Sequence, residues 1–278
     1  MSGEEIRGAG GAAGPQGAEA GRRAAPTSGR VAFFYTCSVN YNHPEIGRAC
    51  VEVLEWNGVQ VEVPVQRCCG MPFLDCGDLA SMEANLRFNL ERLLPLVRAG
   101  YDVVTPGPSC SLMLKVEYPS FVPGPETREL AAATYDICEY LLKRRAEGRL
   151  RTDFARPLGT VAYHHPCHLR AQKMGPKAVQ LLRLVPGTRV TMVEACSGHD
   201  GTWGMKREFF QLSLRQGEKL FRGLTAAGAD RAASDCPLAA RQIRQGAGLA
   251  AVHPILLLHE AYGLGARGRD AGREEPGR

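Results

Sequence analysis

Apolar residues fall along this chain in two successive series of short runs and longer stripes, and the two series repeat one order. In the first, residues 31–35 (Val-Ala-Phe-Phe-Tyr) form a continuous apolar run suited to a buried strand. Pro44 then opens a stretch that places Ile46, Cys50, Val53 and Leu54 on one helical face, and Asn57-Gly58 closes it. Val59, Val61, Val63 and Val65 alternate with Gln60, Glu62 and Pro64, a strand pattern. Met82, Leu86, Leu90, Leu93 and Val97 stripe the next helix, with Pro95 working against its last turn. Gly100 precedes a short strand over 102–105.

The second series runs alike: a strand over 161–163, a helix over 176–184, a strand over 189–194, a helix over 206–226 and a short segment after Gly228. Ala99-Gly100-Tyr101-Asp102 recurs as Ala227-Gly228-Ala229-Asp230. Strand, helix, strand, helix, strand predicts an α/β fold with a parallel sheet in each half. A helix over 127–145 and a polar stretch over 145–157 join the halves. The domains predicted are therefore 30–145 and 158–265. The tails, 1–29 and 266–278, are rich in Gly, Ala, Pro and Arg without hydrophobic periodicity, and they read as disordered.

Composition narrows the function. An apolar fraction of 44% suffices for two cores. The net charge of +5 is mild and is helped by arginines in both tails. No basic stripe interleaves with aromatics, so nucleic-acid binding is not expected. No run of about 18 apolar residues appears, so no membrane span is expected. The N-terminus is acidic and then Gly/Ala-rich, without a secretory leader's apolar stretch. These features predict a cytoplasmic protein, in a compartment where thiols serve metals or catalysis and not disulfides.

Seven of the ten cysteines then carry the argument. Cys37, Cys68-Cys69-Gly70 and Cys110 in the first half match Cys167, Cys196-Ser197-Gly198 and Cys236 in the second, at offsets of 130, 128 and 126 residues. Three landmarks at nearly constant spacing indicate a duplicated module that gathers sulfur from three segments, a metal or cluster site. Each motif cysteine follows a strand, and in parallel sheets ligands bind beyond the carboxyl ends of the strands. Helices starting there would point N–H groups at the thiolates.

The order of elements and the Cys-Cys-Gly core resemble the CCG (cysteine-rich) domain. That domain occurs in heterodisulfide reductase B-type subunits, in iron–sulfur subunits of glycolate oxidase, and in the C subunit of anaerobic glycerol-3-phosphate dehydrogenase. The stretches that carry the resemblance are Tyr41-Asn42-His43-Pro44, Cys68-Cys69-Gly70, Glu117-Tyr118-Pro119, His165-Pro166-Cys167-His168, Gly201-Thr202-Trp203-Gly204 and His253-Pro254. The resemblance implies two tandem pseudo-symmetric CCG-type domains, each a small, mostly parallel sheet with flanking helices, and one cofactor site per motif.

By resemblance, Cys37, Cys68, Cys69 and Cys110 are the ligands of site one, for an iron–sulfur cluster, [4Fe–4S] or non-cubane. The fullest motifs end Cys-x-x-Cys, and here Met113 stands at the last position. Four thiolates are the usual set for [4Fe–4S]. Site two keeps Cys167, Cys196 and Cys236, but Ser197 and Ala239 replace two cysteines. Its occupant is a second cluster, zinc or nothing, with His199 or His168 as the fourth donor, since Cys3His is an ordinary zinc set. Cys50 and Cys138 read as inert core thiols and Met113 as core filler. Cys76 lies in a loop within possible range of site one. Trp203 either lines a pocket or packs its turn.

The function implied is that of an iron–sulfur electron-transfer subunit, non-catalytic or co-catalytic, in an oxidoreductase complex. It would relay electrons between a flavin-dependent partner and a quinone or disulfide acceptor. The partners expected are a flavin-dependent dehydrogenase subunit, a ferredoxin-like subunit, or both, because the chain lacks the Cys-x-x-Cys-x-x-Cys-x-x-x-Cys-Pro run of ferredoxin-like segments. Any contact with the inner membrane would be made through those partners. The alternative is a zinc-stabilised or metal-free docking scaffold. A thiol–disulfide enzyme using Cys68-Cys69 ranks last, since a vicinal disulfide is strained and no resolving thiol is marked.

Overall fold

The computed structural model describes residues 29–265, so most of the two predicted tails lies outside the described residues. Two compact units divide the described chain near residue 150.

The first unit is a four-stranded, wholly parallel sheet in the order β2-β1-β3-β4. β1 spans Gly29–Phe33, β2 Val59–Glu62, β3 Asp102–Thr105 and β4 Thr134–Asp136. Register is fixed by pairs such as Val31↔Val61, Val31↔Asp102 and Val103↔Thr134. The strands read as apolar runs because helices cover the sheet.

α1 (Cys37–Tyr41) and α2 (Pro44–Trp56) follow β1. α2 starts with proline at its first position, where no N–H is needed, and buries Ile46, Cys50, Val53 and Leu54 as its spacing requires. Asn57 ends it, its Nδ2 donating to Val53 O at 2.8 Å. α3 (Met71–Asp75) and α4 (Leu79–Arg98) follow β2. Asp78 caps α4 by accepting from Ser81 N. Met82, Leu86 and Leu93 are buried along it, each such side chain contributing about 1.5–3 kcal/mol. Pro95 is tolerated because it sits in the last turn, before Gly100 adopts positive φ. After β3 come α5 (Pro108–Leu112), one π turn (Met113–Glu117), α6 (Tyr118–Phe121) and α7 (Pro125–Ala132). After β4 comes α8 (Ile137–Ala146).

The second unit repeats the arrangement as β6-β5-β7-β8, again wholly parallel. β5 is Thr160–His164, β6 Arg189–Val193, β7 Arg231–Ser234 and β8 Ala251–Val252. Its helices are α9 (Cys167–Ala171), α10 (Lys177–Leu182), α11 (Phe210–Ala226), α12 (Pro237–Ala247) and α13 (Pro254–Ala261). Ala162, Leu220, Phe221, Leu224 and Ile243 form its core.

The structure corrects several boundaries. Gly29, read as the end of the tail, opens β1. The second strand stops at Glu62, where Pro64 and the need to deliver a cysteine loop end its pairing. The single helix predicted over 127–145 is two helices broken by β4. A capping box between Asp136 and Glu139 starts the second of them afresh. Each sheet therefore has four strands, where the apolar runs announced three. The helix predicted from 206 begins at Phe210, after a 3-10 turn at Trp203–Met205.

Candidate functional site

The motif cysteines of the first unit converge beyond the carboxyl ends of its strands. Cys37 opens α1, where Thr36 caps the helix by accepting from Val39 N at 3.1 Å. Cys110 lies in α5, just past β3, and is 7% exposed. Gly107, before α5, is required by close approach, since a Cβ there would lie 2.6 Å from Thr36 Cγ2. Cys68 and Cys69 sit on the extended segment after β2. Gly70 ends that segment with φ +98°, a conformation side-chain-bearing residues avoid, and starts α3.

This loop is held from behind by one side chain. Asn89, fully buried on α4, accepts from Arg67 N at 2.8 Å. Its Nδ2 donates to Arg67 O, Cys68 O and Tyr118 Oη, each at 3.2 Å. Tyr118 in turn donates to Cys69 O at 3.0 Å.

The four sulfurs form a continuous chain. Cys110 Sγ lies 3.3 Å from Cys69 Sγ, and the Cys37 and Cys69 thiols both act on Cys68. One thiolate is favoured at the expense of the others. Cys68 is pulled down to about 3 by hydrogen bonds from the Cys37 and Cys69 thiols, with help from Gly70 N–H against burial. Cys37 is pushed far up by its interaction with Cys68, with partial desolvation and the nearby Cys68 and Cys110 charges adding to it. Cys69 is pushed up by its bonds to Cys110 and Cys68 and by burial. Packed this closely, four thiolates repel one another unless positive charge sits among them, and metal coordination deprotonates thiols outright. The donor set therefore fits a polynuclear metal centre, since no three of these sulfurs lie within 4.8 Å of one another as a single ion would require.

Other thiols fall where the pattern placed them. Cys50 and Cys138 are buried in the core, Cys76 caps α3 on the surface, and Met113 is fully buried among the core residues.

In the second unit Cys167 opens α9, Cys196 follows β6, and Cys236 caps α12. Cys196 Sγ accepts from Gly198 N at 3.3 Å and Cys236 Sγ from Ala239 N at 3.4 Å. Cys236 is pushed up to about 11 by burial, with a smaller contribution from the Cys167 charge. Cys167 is raised by burial and by Cys196, so the three thiols sense one another. His199 Nδ1 faces Gly201 O at 3.3 Å, which assigns the proton to Nδ1. His199 Nε2 then presents its lone pair 3.7 Å from Cys236 Sγ. Ser197 is buried beneath α11, and a Cβ on Gly217 would lie 2.7 Å from Ser197 O. Trp203 packs its turn by stacking on Phe209, with centroids 4.9 Å apart. His165 Nδ1 lies 2.9 Å from Glu194 Oε1, and His168 follows Cys167 on α9.

The sequence pattern did not single out Asn89. Its signal was a polar residue inside the apolar stripe Met82, Leu86, Leu93. Tyr118 lay within a quoted stretch but had no assigned role.

Duplicated parallel sheets with strand-end cysteines define a class, and the comparison with known families agrees. The cysteine-rich (CCG) domain model matches residues 31–115 and again 161–244, and the chain belongs to that family. It is similar to the C subunit of anaerobic glycerol-3-phosphate dehydrogenase of Escherichia coli, 32% identical over 84% of this chain and 59% of that protein. It is also similar to the B subunit of fumarate reductase (CoM/CoB) of Methanothermobacter marburgensis, 31% identical over 84% of this chain and 46% of that one. An uncharacterized iron–sulfur protein of Methanococcus maripaludis is 32% identical over 77% of this chain and 41% of its own length. The chain thus spans less than two thirds of each of these relatives. Among the described residues no helix is long and apolar enough to cross a membrane.

Proposed function

We propose that this chain is an iron–sulfur electron-transfer subunit of an oxidoreductase complex, with its cluster at site one. The observation that carries the proposal is the convergence of Cys37, Cys68, Cys69 and Cys110 at one sheet end, with Cys110 Sγ 3.3 Å from Cys69 Sγ and Cys37, Cys68 and Cys69 acting on one another electrostatically. Relatives named as subunits of a dehydrogenase and of a reductase, and one named as an iron–sulfur protein, support it. A cluster there would supply one-electron oxidation and reduction. The chain's own residues supply four thiolates, N–H donors to sulfur and partial exclusion of water, which together set a potential. Electrons would arrive from a flavin-dependent dehydrogenase subunit or a ferredoxin-like subunit and leave to a quinone or a disulfide.

Site two favours a second reading for its own half. Cys167, Cys196 and Cys236, with His199 Nε2 3.7 Å from Cys236 Sγ, offer the donor types of a Cys3His zinc site, which an ion would have to draw closer together, and Ser197 and Ala239 remove the remaining thiols. A structural metal there would brace a docking module.

The test is to purify the full chain without oxygen and to measure iron, acid-labile sulfide and zinc per chain beside its visible spectrum. About four irons with matching sulfide are expected, with colour lost in Cys68→Ser. One zinc besides would fit the second reading, and about eight irons would place a cluster at both sites. Zinc alone, or no metal, in oxygen-shielded protein overturns the electron-transfer proposal.

A further inference from the structure

One peptide unit beside site one is bonded at both ends. Its carbonyl, Cys69 O, accepts from Tyr118 Oη at 3.0 Å. Its N–H, that of Gly70, lowers the pKa of the Cys68 thiol, the effect of a donor directed at that sulfur. In a trans peptide the C=O and N–H point in opposite directions, so fixing the carbonyl toward the interior aims the N–H outward at the sulfur. Tyr118 is itself held, since its oxygen accepts from Asn89 Nδ2 at 3.2 Å. The path therefore reads Asn89 N–H to Tyr118 O–H to the Cys69–Gly70 peptide to Cys68 Sγ. Both side chains are fully buried, so water does not compete for these bonds. Serial hydrogen bonds polarise one another, each donor strengthening the next.

The geometry points to Tyr118 and Asn89 as positioning residues that tune the metal centre through the Cys69–Gly70 peptide. Neither touches a sulfur through its own polar group, and both act on the N–H that does. The inference rests on site one holding a cluster. N–H···S bonds favour the reduced, more negative state, and they are one of the protein's means of setting cluster potential. Residue 118 thus has a function that its burial in the core conceals. The helix-borne amide at 89 is the anchor that keeps the tyrosine hydroxyl aimed.

Tyr118→Phe removes one oxygen and keeps the ring. Tyr140→Phe, at another buried tyrosine of the same unit, controls for loosening the core. Each full-length variant is purified without oxygen, its iron and sulfide are counted, and its midpoint potential is measured by spectroscopically monitored redox titration. The expected result is parental iron content in both, a midpoint shifted to more negative values in Tyr118→Phe, and no shift in Tyr140→Phe. An unchanged midpoint in Tyr118→Phe overturns the inference. If the parent carries no iron, the proposed function fails first. If Tyr118→Phe alone loses its iron, its potential cannot be read. Amide exchange of Gly70 in the metal-free full chain decides in both cases. Exchange about tenfold faster in Tyr118→Phe, with α4 amides unchanged, supports the path, being the effect of losing one buried hydrogen bond. Unchanged Gly70 exchange overturns it.

Discussion

Asn89 and Gly217 stand at equivalent positions of the two units, 128 residues apart, and hold their cysteine loops by opposite means. Asn89 reaches the loop with a side chain that bonds Arg67, Cys68 and Tyr118. Gly217 has no side chain, and α11 lies against Ser197 so closely that a Cβ would sit 2.7 Å from Ser197 O and 2.4 Å from Phe221 Cζ.

These two solutions predict different failures. Gly217→Ala overpacks the second unit at a backbone contact and is expected to cost about 1–3 kcal/mol. Asn89→Ala leaves buried partners of the first loop unbonded and is expected to cost about 2–3 kcal/mol. Urea denaturation of each variant checks the magnitudes. Metal analysis checks that each loss falls mainly on its own site.

His199 predicts a selective effect at site two. His199→Ala removes the nitrogen facing Cys236 and is expected to weaken zinc binding at least tenfold, since removing one of four donors opens the site to water. Iron at site one should be unaffected. Competition with a chromogenic chelator reads the first quantity and iron analysis the second. Equal zinc affinity in both proteins would remove His199 from the ligand set.

His164 predicts an acid-side loss of stability. Burial, with the nearby charges of His199, Arg170 and His165, pushes it down to about 4 in the folded chain. A histidine depressed by folding stays neutral there while the unfolded chain takes up a proton. Its contribution is therefore whole above about pH 6.5 and is lost progressively as pH falls toward 4. The loss is on the order of 2–3 kcal/mol. Denaturation of the metal-free chain at pH 7 and pH 5 should show the decline, and His164→Gln should flatten it.

The 3.3 Å approach of Cys110 Sγ to Cys69 Sγ predicts the oxidation product of the metal-free chain. Treated with a hydroperoxide, the two thiols each give up a hydrogen and join, while the peroxide is reduced to an alcohol and water. Peptide mapping should find Cys69 linked to Cys110, in preference to the strained vicinal Cys68-Cys69 bridge. Cys50 and Cys138, buried in the core, should remain thiols.

What could be read in advance follows from the range of each signal. The apolar runs at 31–35 and 102–105 and the stripe from Met82 to Val97 are long enough to declare their period, and they stand close to where they were placed. β4 is three residues long, and Leu130, Thr134, Ile137, Cys138 and Leu141 around it keep helical spacing, so a strand there is masked. The Asp136–Glu139 capping box was the local sign that a new helix begins. β8, two residues long, carries no period at all. The cysteines were legible because chance seldom sets thiols at constant offset. Asn89 was not, because its partners are backbone groups some 21 residues distant in sequence and a tyrosine hydroxyl 29 residues on, and the identity of one amide does not announce them.

The uneven burial of the first four sulfurs gives the centre a direction. Cys69 and Cys110 are sealed against the sheet at 3% and 7% exposure, whereas Cys37 is open to solvent. A charge held among them would be insulated on one side and near the surface on the other. Electrons tunnel most readily over the shortest gap, so a partner docking over Cys37 would meet the conducting terminal. One approaching from the strand side would meet the packed interior instead.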